Sequence, residues 1–426
     1  MTSIRERTGL DVPALRDHFP ALSRIVDGRP VAYLDGPGGT QVPRECIDAI
    51  SAYLQSSNAN HGGAFTAAIE SDAILDEVHA AAADFLNAPD PGEIAFGPNM
   101  TTLTFALSRA IGRGLVAGDE VVVTRLDHDA NVAPWLALAE GRGLVVRWLE
   151  LDETGSRLDL DGLDAALGPR TKVVAVGLAS NALGTVTDVG RVVEAAHAVG
   201  ALTYVDAVHA GPHLPIDVAA LRADLLVCSP YKFFGPHLGM LYGRRELLER
   251  LPAFRVRPAG EALPGKWQTG TQSHEALAGL LGTFGYLERL GAAYGGAAGA
   301  ADRRTRLRAA MTAIHAHERD LALGTLERLR TVPGLTLQGI ADPALVDERV
   351  PTFSFTIAEH APRTVAEHLA SRAINVWDGD FYAWELVRAL GLADSGGLVR
   401  IGLVHYNTLE EVDRLVEALG ELRLNG

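Results

Sequence analysis

Between residues 93 and 229 the sequence alternates short, unbroken apolar runs with helix-length segments, and few architectures accept that pattern. EIAFG (93–97), EVVVTRL (120–126), LVVRWLEL (144–151), KVVAVGLAS (172–180), ALTYVDA (201–207) and ADLLVCS (223–229) read as strands. They are rich in Val, Leu and Ile and do not alternate with polar residues, which predicts a sheet covered on both faces. TTLTFALSRAIGRG (101–114) and GRVVEAAHAVG (190–200) read as helices between them. Repetition of strand, helix, strand predicts an α/β fold built on a mostly parallel sheet.

After Gly270 the texture changes. Residues 273–331 read as helical, with a Gly/Ala cluster at 291–301 that marks either a bend or close helix packing. VPTFSFTI (350–357), TVAEHLASR (364–372), INVWDG (374–379), LVRIGLV (398–404) and TLEEVDRLVEALGEL (408–422) then form a small α+β pattern. A chain of 426 residues is long for one core. The expected division is an arm over 1–30 packing on the second domain or along the cleft, a large domain over 31–285 and a small domain over 286–426.

Charge and cysteine content narrow the function. With 38 basic and 53 acidic residues the net charge is −15, which disfavours binding to nucleic-acid phosphates or anionic lipid. Two cysteines, Cys46 and Cys228, give neither a disulfide framework nor a four-thiolate metal site. His209 and His213 lie four apart without a third ligand at informative spacing, so no metal site is expected. MTSIRERTGLDVPALRDHF lacks the apolar core of a signal peptide, and no apolar run is long enough for a membrane span. The expected location is the cytoplasm.

The most informative stretch is VDAVHAGPH (205–213) followed by CSPYKFFGPHLGMLYGR (228–244). Asp206 ends one apolar strand and Lys232 follows another. Ligands of parallel α/β sheets gather outside the carboxyl ends of the strands, so both residues should face one crevice. A lysine among apolar and aromatic neighbours has its pKa lowered and becomes a better amine nucleophile. Taken singly, Lys232 reads rather as a surface lysine before a Gly-Pro turn, and Asp206 as a helix cap. Together they are the acid and the amine that pyridoxal phosphate requires. GPNMTTLTFAL (97–107) adds a loop entering a helix, whose free N–H groups suit a phosphate dianion.

From AYLDGPGGTQVP (32–43) to HYNTLEEVDRLVEAL (405–419) the chain resembles the class V aminotransferase superfamily of fold-type-I pyridoxal-phosphate enzymes, most closely cysteine-desulfurase-like proteins. The resemblance implies a large domain with a mostly parallel seven-stranded sheet and a small C-terminal α+β domain. It makes Lys232 the lysine of the internal aldimine, Asp206 the partner of the pyridine nitrogen and His128, in RLDHDANVAPW, the residue stacked on the cofactor ring. Asn181 and His209 match residues near the ring oxygen, and Asn181 also lies near the substrate carboxylate. Met100, Thr101 and Ser229 match phosphate ligands, with Tyr231 standing where many relatives have histidine. Gly270 and Thr271 match residues that reach the phosphate from the other subunit, which implies a homodimer with shared active sites. Arg400 matches the arginine that holds the substrate α-carboxylate, a task suited to its two parallel N–H donors.

The pattern departs from desulfurases at one place. Their persulfide-forming cysteine lies on a loop shortly before the substrate arginine, and the corresponding NVWDGDFYAWELVRALGL (375–392) has none. Tyr382 stands near that position. Cys46, in an early helix, and Cys228, in an apolar strand, read as buried, inert thiols. LDGPGGTQVP is expected to line the substrate entrance, and Asn60, His61 and Gly62 to face the pocket. The resemblance therefore implies an enzyme acting on an α-amino acid through an external aldimine and a Cα carbanion. Elimination at Cβ follows, with Tyr382, Asp380 or His61 as candidates to protonate the leaving group. Transamination, epimerisation, carbon–carbon bond formation, or a noncatalytic cofactor-binding paralogue remain as alternatives.

Overall fold

The computed structural model describes residues 9–297 and 301–422. Seven strands form the large sheet: β1 (Ile94–Gly97), β2 (Glu120–Thr124), β3 (Val145–Leu149), β4 (Thr171–Gly177), β5 (Leu202–Asp206), β6 (Leu225–Cys228) and β7 (Gly239–Gly243). Their order is β1-β7-β6-β5-β4-β2-β3, with only β7 antiparallel to its neighbours.

The unbroken apolar runs have the expected cause. Val122, Val174, Val205 and Leu226 enter one core, while their neighbours Val121, Val173, Tyr204 and Leu225 enter a second core on the opposite face. Successive side chains of a strand point to opposite faces, so both faces must be covered. Strand β3 departs from that expectation: it is the sheet edge, and its residues alternate exposed and half-buried until Leu149. Strand β7 lies within LGMLYGR, which the pattern of apolar runs does not mark as a strand. It is a short hairpin-like return, without a helix before it to set the strand–helix rhythm.

Helices flank this sheet. They include α1 (Arg44–Ser56), α2 (Thr66–Leu86), α3 (Met100–Gly112), α4 (Ala133–Arg142) and α5 (Val189–Ala198). Two long helices, α6 (His274–Tyr294) and α7 (Arg303–Leu329), then lead to the second sheet, and residue 285 lies inside unbroken α6. The Gly/Ala cluster serves close packing where it is described. A Cβ on Gly291 would meet the Arg306 carbonyl at 1.9 Å, so α6 and α7 approach backbone to backbone there. Residues 298–300 of that cluster lie outside the described residues.

The second sheet is antiparallel: β8 (Leu335–Gln338), β9 (Thr352–Ile357), β10 (Trp377–Gly379) and β11 (Leu398–Gly402), in the order β8-β9-β11-β10. Helices α8 (Pro362–Ala370) and α9 (Leu409–Glu421) cover one face, where Phe353, Phe355, Val399, Ile401, Leu369 and Leu415 share a core. A capping box between Thr408 and Glu411 starts α9. INVWDG is two pieces rather than one strand. Ile374–Asn375 pairs in parallel with Ala32–Tyr33, and Trp377–Gly379 joins β11. The N-terminal segment ties these parts together. Phe19 is ringed by Phe234, Tyr286, His405 and Tyr406, and Arg16 donates to the Tyr406 carbonyl at 2.7 Å.

Candidate active site

The carboxyl ends of β2, β4, β5 and β6 converge on a small buried cavity of about 100 Å³, lined by Asp127, His128, Asn181, Asp206, His209 and Lys232, among others. Met100 and Thr101, at the start of α3, and Ser229 and Tyr231, on the turn after β6, line the same cavity. Sequence positions scattered over more than 130 residues are thus brought together by the parallel strands, as the sheet topology requires. The cavity opens into an outer chamber of about 1050 Å³, which shares Thr101, His128, Asn181, Tyr231 and Lys232 with it and adds Arg400 and Tyr382.

Lys232 ends a 3-10 turn (Pro230–Lys232) and donates from Nζ to the Pro37 carbonyl. Burial pushes its ammonium down to about 7, aided by the Arg400 charge and opposed by Asp206. Near neutral pH a substantial share of this lysine is a free amine. Asp206 accepts from the Val208 N–H at 2.8 Å. Burial raises its carboxyl to about 7, the Val208 hydrogen bond and Lys232 work against that, and Asp127 adds to it.

Asp127 was not singled out from the sequence, although it directly precedes His128 in RLDHDAN. Its carboxylate accepts from Asn131 Nδ2 at 2.7 Å and from the Gly177 N–H at 3.0 Å. A Cβ on Gly177 would stand 2.9 Å from Asp127 Oδ1, so the glycine allows that approach. Burial raises Asp127 to about 6. Two carboxyl groups therefore share the cavity, an arrangement that favours a cationic guest.

His128 Nδ1 accepts from the Ala130 N–H at 3.0 Å, which leaves the proton of the neutral ring on Nε2. Burial, then the charges of Lys232 and Arg400, lower its pKa to about 4. His209 is likewise held well below its ordinary value, chiefly by burial, and its Nε2 lies 2.9 Å from Thr352 Oγ1. Both rings are neutral at pH 7.

Arg400 is on β11 and is 4% exposed. Its Nη1 donates to the Asn181 carbonyl at 2.8 Å, its guanidinium lies 4.2 Å over the Phe381 ring, and its buried Nε has no hydrogen-bond partner among the described residues. Burial lowers it to about 9, and nearby Tyr231 and Asp35 counter part of that. It remains charged at neutral pH. Asn181 donates from Nδ2 to the Phe381 carbonyl at 2.9 Å, while its buried Oδ1 has no partner among the described residues.

The loop before Arg400 has an unusual backbone. Phe381 and Tyr382 both have positive φ, at 57° and 58°. Such conformations in bulky residues concentrate at functional sites. The loop is anchored by the Asp129 N–H donating to the Tyr382 carbonyl at 2.7 Å and by the Tyr382 N–H donating to Asp380 Oδ1 at 2.9 Å. Tyr382 stacks on His128, with ring centroids 5.4 Å apart and planes 22° from parallel. Pro37 and Gly38 of the early glycine loop line the outer chamber. A Cβ on Gly38 would collide with the Trp377 ring at 2.0 Å.

Other sequence candidates stand elsewhere. Asn60, His61 and Gly62 lie at the surface and line neither cavity. Gly270 and Thr271 are exposed and also stand outside both cavities of this chain.

Residues 32–415 match the model of the family described as aminotransferase class-V. The chain belongs to the aminotransferase class-V family. It is 34% identical over 435 residues to a probable cysteine desulfurase of Streptomyces coelicolor, covering 97% of both chains. A probable cysteine desulfurase of Mycolicibacterium paratuberculosis is 32% identical, matching 99% of this chain, which spans only 59% of that protein's length. The apo structure of a cysteine desulfurase from Thermococcus onnurineus NA1 superposes with a TM-score of 0.85 at 25% identity, covering 97% of this chain and 98% of the other. As a class V member the protein is an enzyme of the aminotransferase and cysteine desulfurase superfamily, and membership implies pyridoxal phosphate as its cofactor. The cavity suits that group: a buried amine, two carboxyls favouring a cation, and a helix start for an anion lie around it.

Proposed function

We propose that this class V enzyme acts on an α-amino acid and breaks a bond at Cβ, as a C–S or related lyase that releases its leaving group directly. One observation carries the reading: a buried lysine of lowered pKa shares a cavity with Asp206 and His128, next to a buried arginine whose Nε lacks a partner. Pyridoxal phosphate would supply a carbonyl for condensation with amines and an electron-withdrawing ring. Asp206 would hold a proton on the ring nitrogen, and His128 would cover one ring face. Met100, Thr101, Ser229 and Tyr231 would hold the phosphate, joined by Gly270 and Thr271 of a second subunit in a homodimer.

Arg400 would bind the substrate carboxylate with its planar fork, next to the unpaired Oδ1 of Asn181. Lys232 is then placed to take the proton from Cα, since a substantial share of its amine is unprotonated near neutral pH. Release without a persulfide is supported by the cysteines. Cys46 and Cys228 are fully buried, and burial pushes the Cys46 thiol up to about 11. The loop beside His128 presents Phe381 and Tyr382.

Borohydride reduction of the cofactor-loaded protein followed by peptide mass analysis tests the assignment; the expected adduct is on Lys232, and none there overturns it. Single-turnover product analysis tests the reaction. Formation of pyruvate or another 2-oxo acid with ammonia, and with the cofactor unchanged, supports elimination. Accumulation of pyridoxamine phosphate instead identifies a transaminase.

A further inference from the structure

The two cavities divide the site at Lys232 and Asn181, which line both. A substrate held by Arg400 with its Cα near Lys232 must send its side chain into the outer chamber. That chamber measures about 1050 Å³, just above the roughly 300–1,000 Å³ typical of pockets for drug-sized ligands. Cysteine or alanine would leave most of it to water.

Its walls are aromatic. Trp377 at the start of β10, Phe381 and Tyr382 on the strained loop, Trp384 at the start of the following helix and Phe105 from α3 all line it. Trp377, Tyr382 and Trp384 are 47%, 71% and 47% exposed in the single chain, so large ring surfaces face one mouth. Clustered exposed aromatic surface marks a binding site, whereas isolated apolar residues do not. The rings are also held in place. Arg388 lies 3.5 Å over Trp384, His128 stacks on Tyr382, and Gly38 is pressed against Trp377.

We infer that the amino acid taken by this site carries a bulky, aromatic-bearing side chain beyond Cβ, seated on Trp377, Tyr382 and Trp384. This inference rests on the proposed amino-acid chemistry and names its substrate class. Stacking and burial of a ring in such a chamber make binding about 10- to 100-fold tighter than for the same amino acid without it.

The test uses the full-length protein loaded with pyridoxal phosphate. Dissociation constants of alanine, tryptophan and S-benzylcysteine are measured by calorimetry and by the change in cofactor absorption. Tighter binding of tryptophan or S-benzylcysteine than of alanine by about tenfold or more supports the inference. In Trp384→Ala and, separately, Trp377→Ala, the ratio to alanine should fall toward one, with the cofactor absorption band showing that each variant keeps its site. A coloured protein that binds neither large amino acid appreciably more tightly than alanine overturns the inference and leaves the amino-acid chemistry standing. A protein that takes up no pyridoxal phosphate overturns both.

Discussion

Arg400 donates from Nη1 to the Asn181 backbone carbonyl at 2.8 Å, a direct hydrogen bond between the antiparallel sheet and the loop after β4 of the parallel one. The residue proposed to grip the substrate thus also joins the two halves of the cleft. Its Nε remains unpaired. Arg400→Lys keeps a charge but loses the planar fork, so amino-acid affinity should fall about 10- to 100-fold. Calorimetric titration of the cofactor-loaded variant measures it, and unchanged affinity would remove Arg400 from carboxylate binding.

Lys232 gives a pH signature in the protein without cofactor. Its native pKa is about 7 against an ordinary 10.5. Below 7 it is protonated in both folded and unfolded chains, and the folded chain bears the full cost of a buried charge. Between 7 and 10.5 the unfolded chain binds more protons, so this cost disappears as pH rises. Lys232→Met should therefore stabilise the apoprotein most near pH 6 and progressively less by pH 9. Denaturant midpoints across that range give the answer; an advantage that grows with pH contradicts the lowered pKa.

The parallel sheet was legible because burial on both faces removes polar residues from whole strands, as at EVVVTRL and ADLLVCS. The edge strand LVVRWLEL looked the same in sequence, yet Val145 is 41% exposed, because an apolar run does not announce whether a neighbour covers it. Lys232 and Asp206 are legible as strand-end residues and His128 and Asn181 only through the family resemblance, and the structure gathers all four at one cavity. Asp127 escaped notice since an acid beside a histidine resembles any loop polar pair until burial is known. His61, expected to face the pocket, stands at the surface. The aromatic chamber depends on the fold of residues 377–384, which bends through positive φ at Gly379 and also at Phe381 and Tyr382, bulky residues whose local propensity does not signal it.

The cysteines provide an independent test of direct release. Cys46 is pushed up to about 11 by burial, while burial and the Asp206 charge raise Cys228. Thiolate reagents should label neither residue in the native protein and both after denaturation. A Cys46→Ala, Cys228→Ala double variant should keep its turnover within about a factor of two, as neither thiol touches the proposed substrate path. Loss of turnover in a stably folded double variant, or persulfide on either cysteine during reaction, would restore sulfur transfer through the protein.

Asp206→Asn separates the charge of this residue from its shape. The amide oxygen can still accept from the Val208 N–H, now at 2.8 Å from Oδ1, while the negative charge is gone. Loss of a buried electrostatic partner at a reacting centre costs about 10²- to 10³-fold in turnover, and a fall of that size is expected in the cofactor-loaded variant. A second effect has a definite sign. The Asp206 charge raises the Lys232 pKa against the depressing effects of burial and Arg400. Without it the amine loses its proton at lower pH, so the midpoint of cofactor uptake against pH should move toward acid. Stopped-flow absorption of pyridoxal phosphate uptake from pH 5.5 to 9 reads that midpoint. A shift toward alkali, or none at all with turnover intact, would show that Asp206 and Lys232 are not electrostatically coupled in the cavity.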